Sequence, residues 1–189
     1  MHADGCRPIP TRWIDINKGD EKHIEIRSRL VAQETRKRSS IAAGDIAATF
    51  AATPPLEAVK MLISLANAGQ QGLRREDRRV LGFYDISRAH FHSPVRRHIY
   101  VKTPKEDTTV KTGLARLLKA MYGTRDAGQC FDDFSEQTMK KLGFDIGKFN
   151  PCIHLHKGEN KVCVRHGDDF VLLATRAQHR EFVIDMNNT

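Results

Sequence analysis

Hydrophobic and polar residues alternate over Val162 and Val164, and an unbroken apolar run follows at Phe170–Leu173, with Gly167 between the two blocks. That pattern predicts two strands joined by a tight glycine-bearing turn. A second apolar run, Val80–Ile86, predicts a strand that carries a single acid, Asp85. Shorter strands are predicted at Trp13–Asp15 and Ile24–Val31, around the polar turn Asn17-Lys18-Gly19-Asp20, and at Ile99 and Val101. Two segments have helical spacing instead. Leu56, Val59, Ile63 and Ala66 predict the core stripe of a helix that opens at Pro54-Pro55, has Glu57 in its first turn and ends before Gly69. Phe131, Phe134, Thr138 and Leu142 predict the buried face of a second helix over Asp126–Leu142. Asp126 is its N-cap, Lys140-Lys141 fill the last turn and Gly143 lies beyond. Gln33–Asp45 reads as a polar, basic loop and Gln70–Arg79 as a charged connection. This order of elements predicts an α+β fold, an antiparallel sheet with helices packed on one face.

Composition adds a size and a partner class. At 189 residues the chain suits one domain, or two lobes sharing a core. The formal net charge of +8 is unevenly spread: Arg88 to Arg125 holds nine Lys and Arg against Glu106 and Asp107, whereas residues 126–189 sum to −2. A polyanionic partner fits such a stretch, since phosphate neutralisation dominates non-specific nucleic-acid affinity. A solvated basic face is the plainer alternative. Cys6, Cys130, Cys152 and Cys163 form no Cys-x-x-Cys pair, which points to reduced thiols in an intracellular protein, cytoplasmic or nuclear. No apolar run is long enough to span a bilayer and the N-terminus has no signal-peptide core, so neither a membrane partner nor export is expected.

The candidate chemistry lies in the acids. A hairpin at residues 162–173 presents Asp168 and Asp169 at its tip, and Asp85 is costly within an apolar strand unless it is paired or coordinates a metal. Three carboxylates on neighbouring strands can hold two divalent cations, and two such ions run phosphoryl transfer. A rival constellation is zinc-like. Cys152, His154 and His156 alternate along one strand, and Cys163 and His166 follow across a turn at Gly158, so two Cys and two His stand near one hairpin. Their spacing is not that of a short zinc knuckle.

Six blocks then occur in the order of a known family. Arg27-Ser28-Arg29-Leu30-Val31-Ala32 resembles the Lys-x-Arg-Leu-Val-Ala segment of copia-type retrotransposon reverse transcriptases, and Phe83–Phe91 is similar to their first catalytic motif. Ile99-Tyr100-Val101 resembles their Ile-Tyr-Met, and Leu118–Gly123 their Lys-Ala-Leu-Tyr-Gly. Leu142-Gly143-Phe144 with Asn150-Pro151-Cys152 matches the next pair of motifs, and Gly167-Asp168-Asp169 stands where the family has Tyr-Val-Asp-Asp.

The resemblance implies an RNA-directed DNA polymerase of the right-hand type, with residues 1–79 as a fingers-like part and 80–189 as the palm. Asp85 and Asp168 would ligate two Mg²⁺ ions, with Mn²⁺ as an alternative, and Asp169 would support them. Substrate contacts would come from Arg27 and Arg29 on the triphosphate, the Ile86 carbonyl, His90 and Phe91 near the sugar, and Tyr122-Gly123. Arg88, Arg96, Arg97, Lys102, Lys119 and Arg125 would track a template-primer of RNA or DNA, with dNTPs as substrates. Three departures accompany the matches. His166-Gly167 replaces an aromatic-aliphatic pair, and Gly167 is expected to loosen the hairpin. Asp126 places an acid where template contact is expected. Thr189 follows soon after the acidic pair, whereas relatives continue into a thumb and an RNase H domain. The expectation is a chain without a thumb that extends primers slowly, with other Pol segments as partners; a catalytically inactive nucleic-acid binder is the alternative.

Overall fold

The computed structural model describes residues 7–34 and 51–188; Cys6 and the expected loop beyond Glu34 lie outside them. In chain order the elements begin with β1 (Thr11–Asn17), β2 (Ile26–Ala32), α1 (Leu56–Asn67), β3 (Arg79–Asp85), β4 (Tyr100–Lys102) and β5 (Leu114–Arg116). They continue with α2 (Ala127–Lys141), β6 (Asp145–Ile146), β7 (Ile153–His156), β8 (Lys161–His166), β9 (Asp169–Thr175) and α3 (Arg176–Asn187). The chain divides into two compact units that interleave in sequence. Of the described residues, 7–34 and 90–131 form one, and 51–89 and 132–188 form the other. This is a different cut from the expected one between residues 79 and 80.

The unit of residues 51–89 and 132–188 is built on a five-stranded antiparallel sheet in the order β3-β9-β8-β7-β6. The sheet is covered on both faces, which corrects the one-sided expectation. Leu81, Val162, Val164, Val171 and Leu173 share one face and pack with Ala58 and Leu62 of α1. Tyr84 is an odd number of residues from Leu81 and so projects to the other side. There its ring lies 5.4 Å from Phe182 of α3. Arg165 of β8 sits on that second face too, opposite Phe170, and ion-pairs with Asp132 of α2.

The α1 stripe needs a second correction. Leu56 and Ile63 are 65% and 47% exposed, whereas Ala58 and Leu62 are buried, with Val59, Leu65 and Ala66 packed beside them. The helix carries two overlapping apolar stripes at helical spacing, and the fit to the sheet selects the one through Ala58 and Leu62. The second helix follows its predicted course. Phe131 and Thr138 are buried, Phe134 and Leu142 half-buried, and Gly143 past the C-terminus has φ +81°, the left-handed conformation glycine adopts most readily. α3 was not foreseen. Thr175 and Gln178 form a reciprocal capping box at its start.

In the unit of residues 7–34 and 90–131, β1 and β2 pair in register from Thr11–Ala32 to Asn17–Ile26. Their turn is held by side chains: Asn17 Oδ1 accepts from the amides of Gly19 and Glu25, and Asp20 Oδ1 from those of Lys22 and His23. The predicted strand at Ile99–Val101 is found as β4, which pairs with the unforeseen β5.

Candidate active site

The ladder between β3 and β9 decides where the acids meet. Its register runs from Arg79–Thr175 to Asp85–Asp169, so the last residue of one strand stands directly opposite the first of the other. The Ile86 amide donates to the Asp168 carbonyl at 3.1 Å and closes that end. Asp168 occupies the two-residue turn with Gly167, which has φ +64°. A turn with positive φ matches the right-handed twist of the flanking strands. Gly167 therefore adopts the turn conformation without strain.

Asp85 and Asp169 are exposed and Asp168 is half-buried; among the described residues none of the three carboxylates has an ion pair or a side-chain hydrogen bond. Like charges directly opposite one another on a ladder repel, and no ion pair among the described residues offsets that. Hard carboxylate oxygens facing water without a counter-charge are the donor set that a hard divalent cation takes. In this conformation, however, no three His, Cys, Asp or Glu side chains among the described residues are gathered closely enough to hold a metal ion. The pair in register is Asp85 with Asp169; Asp168 stands one residue away, in the turn.

The turn is braced from beneath. Arg165, 3% exposed, donates from Nη1 to the Gly167 carbonyl at 3.2 Å and meets Asp132 Oδ1 at 2.8 Å. Asp132 Oδ2 in turn accepts the Ala52 amide at 2.9 Å. The sequence held a signal for this clamp, since an arginine directly after the apolar run Val162–Val164, within the same strand, needs a partner if it is buried. Arg88, just after the strand, is exposed and has φ +57°, a conformation uncommon outside glycine.

The same geometry removes the zinc reading. His154 faces Cys163 across β7 and β8, and both are buried, as is Cys152. His166 is exposed at the far end of β8, opposite Asp169 and an odd number of residues from Cys163, hence on the other face. Burial raises the thiols of Cys152 and Cys163 away from the thiolate form. Burial first, and then Arg165, lowers His154 to about 4. Neither ring nitrogen of His154 has a hydrogen-bond partner among the described residues. It is a neutral core histidine.

The other predicted contacts belong to the unit of residues 7–34 and 90–131. The Arg29 guanidinium carbon lies 5.5 Å from the centroid of the Tyr122 ring. Tyr122 is 4.6 Å from the His90 ring, and Phe91 meets it edge-on at 5.7 Å. His90 stacks in turn on Phe131 at 6.1 Å. Gly123 has φ +86°, and a Cβ there would lie 1.9 Å from the Ala32 carbonyl oxygen, so only glycine lets the Tyr122-Gly123 step lie against β2. The Ala32 amide donates to the Tyr122 carbonyl at 2.8 Å across that contact. Two sequence blocks some ninety residues apart are thus joined through their backbones.

The basic stretch splits into two groups. Arg97 donates from Nε and Nη2 to both oxygens of Asp126, at 3.0 and 3.1 Å, and from Nη2 to Glu34 at 2.6 Å. Arg125 reaches the same Glu34 through its backbone amide at 3.0 Å and its Nε at 3.8 Å. Burial opposes the charge on Arg97, but hydrogen bonds to Asp126 and Glu34 prevail and raise its pKa. These two arginines are committed within the fold, and Asp126, expected as the N-cap of the second helix, is neutralised by Arg97. Arg27, Arg96, Lys102 and Lys119 are exposed, and Lys119 Nζ also donates to the His92 carbonyl at 2.8 Å. Nothing in the sequence pattern had pointed to Glu34.

Residues 2–186 match the family described as reverse transcriptase (RNA-dependent DNA polymerase). No solved structure matches the chain. Among the described residues no helix is long and apolar enough to cross a membrane.

Proposed function

The chain belongs to the reverse transcriptase family of RNA-dependent DNA polymerases, and from that premise we propose that it is the polymerase domain of a copia-type retroelement Pol protein. Template-primer and dNTPs are its substrates. In this reading β3, β8 and β9 form the core of the palm, and β1–β2 with Tyr122-Gly123 belong to the fingers side. Asp85, Asp168 and Asp169 hold two divalent cations, Mg²⁺ or Mn²⁺. When bound, such ions activate the primer 3′-hydroxyl and neutralise the triphosphate and departing pyrophosphate.

The remaining work falls to the chain's own groups. Arg27 and Arg29 hold the triphosphate, since a guanidinium fork suits phosphate oxygens. Tyr122, fixed by Arg29, His90 and Phe91, presents a rigid ring at the nucleotide, and His90 senses the sugar. The Ile86 carbonyl would serve as an extra ligand beside the three carboxylates. Arg88, Arg96, Lys102 and Lys119 follow the nucleic-acid backbone, while Arg97 and Arg125 hold the fold on which they sit.

The observation that carries this reading is the register of Asp85 against Asp169 beside the Gly167-Asp168 turn, three carboxylates with no counter-charge among the described residues. Primer extension on an RNA template tests it. The wild type should extend in Mg²⁺ or Mn²⁺, and Asp85→Asn or Asp168→Asn should abolish extension while the protein stays folded. Undiminished extension by Asp168→Asn contradicts the assignment. Template binding with no extension under any metal would establish the inactive binder instead.

A further inference from the structure

Phe149, in the loop between β6 and β7, has a relative exposure of 103%, the highest of any large hydrophobic residue described. Such a ring in water contributes nothing to the core, so its use must be sought outside the chain. It lines a groove of about 680 Å³ at the β6 edge of the sheet, with Ile146, Ile153 and Leu155 as apolar neighbours. Three lysines, Lys140, Lys148 and Lys157, share that lining with a single acid, Asp145. Lys148 is in no ion pair among the described residues. Lys157 meets Asp145 at 3.4 Å and Lys140 meets Glu136 at 2.6 Å, but these side chains are all exposed, and ion pairs so exposed exchange readily for a phosphate.

An apolar protein partner would bury three lysines against only one acid. A polyanion with flat rings uses both halves of the groove, because every base has a face to stack and every link a charge to neutralise. We propose that this groove binds single-stranded polynucleotide, with a base stacked on Phe149 and the flanking phosphates on Lys148, Lys140 and Lys157. β6 lies three strand spacings from β9, about 14 Å across the sheet, so the groove is separate from the aspartates. The site goes beyond the polymerase reading, because it needs none of the three carboxylates.

Fluorescence anisotropy with labelled 12-nucleotide oligo(dT) and oligo(U), between 50 and 200 mM salt, is the test. Phe149→Leu keeps an apolar side chain, removes the stacking face and leaves an exposed position that the fold does not use. It should weaken binding roughly 5- to 100-fold without changing the salt slope. Lys148→Ala should reduce the slope by about 0.7. Unchanged affinity in Phe149→Leu overturns the proposal. So does sedimentation showing that the wild type self-associates and Phe149→Leu does not, which would make the groove a contact between copies. Loss of primer extension with Phe149-dependent binding intact would count against the polymerase reading alone.

Discussion

Two groups of acids in this chain have met opposite fates. Glu34, Asp126 and Asp132 are each clamped by a buried or half-buried arginine, at 2.6 to 3.0 Å. Asp85 and Asp169 stand opposite one another, and neither has an ion pair among the described residues. The first group ties segments together: Asp132 joins α2 and β8 to Ala52, two residues before α1's prolines, and Glu34 joins the end of β2 to Arg97 and Arg125. The second group ties nothing, and its charges repel. Two opposed carboxylates left bare, in a fold that pairs its buried acids, are what the proposed cation site needs. The contrast separates acids that build the fold from acids proposed to act on a ligand, although the residue type is the same.

The largest expected effect comes from breaking a clamp. Arg165→Met removes the charge that Asp132 faces and the donor to the Gly167 carbonyl, and should cost about 3–5 kcal/mol in urea unfolding. A cost below about 1 kcal/mol would mean that the clamp is not structural. A third way of burying a titratable group, kept neutral and unpartnered, is His154. Its pKa of about 4 in the fold lies below the unfolded value of 6.5, so the unfolded chain binds more protons between those limits. Stability from this residue is complete above pH 6.5 and falls by about 3 kcal/mol as pH drops toward 4. His154→Leu should flatten that part of the pH–stability profile. An identical profile in the variant would contradict the assignment.

The smaller effects concern the tip. A Cβ added at Gly167 meets no atoms within 4 Å, so in Gly167→Ala only the φ of +64° opposes the change, and the expected loss is about 1–2 kcal/mol. No loss would show that the turn can relax to another conformation. The smallest effect has the opposite sign. Asp85→Asn removes the repulsion with Asp169 and should stabilise the metal-free protein by about 0.2–1 kcal/mol. Glu34→Gln, the same chemical change within a clamp, should destabilise it. Equal signs for the two would dissolve the distinction between the groups.

Much of this was legible in the sequence because it rests on local rules. The 162–173 hairpin, the strand ending at Asp85, the first helix with its proline start and the second with Gly143 behind it all follow from periodicity and turn chemistry. What was not legible needed long-range pairing. Leu56 and Ile63 are as apolar as Leu62, and only the sheet beneath α1 chooses between stripes. The register that sets Asp169, rather than Asp168, opposite Asp85 is fixed by β3–β9 pairing across 84 positions. Arg97 and Arg125 resemble free phosphate ligands until Glu34, far away in sequence, is found beside them. α3 and the Arg165 clamp were different, because Thr175-x-x-Gln178 and a lone arginine in an apolar strand were readable signals that pattern-reading had passed over.

The central claim is that the bare aspartates are a cation site, and cation-dependent stability tests it most directly. Thermal unfolding of wild type and Asp85→Asn should be followed against free Mg²⁺ and Mn²⁺ at constant ionic strength. Ligation to the folded state alone should stabilise the wild type by about 2.7 kcal/mol when the cation is at 100 times its Kd. The variant, already slightly more stable without metal, should gain little or nothing. Equal stabilisation of both proteins, or none of the wild type, would contradict the claim.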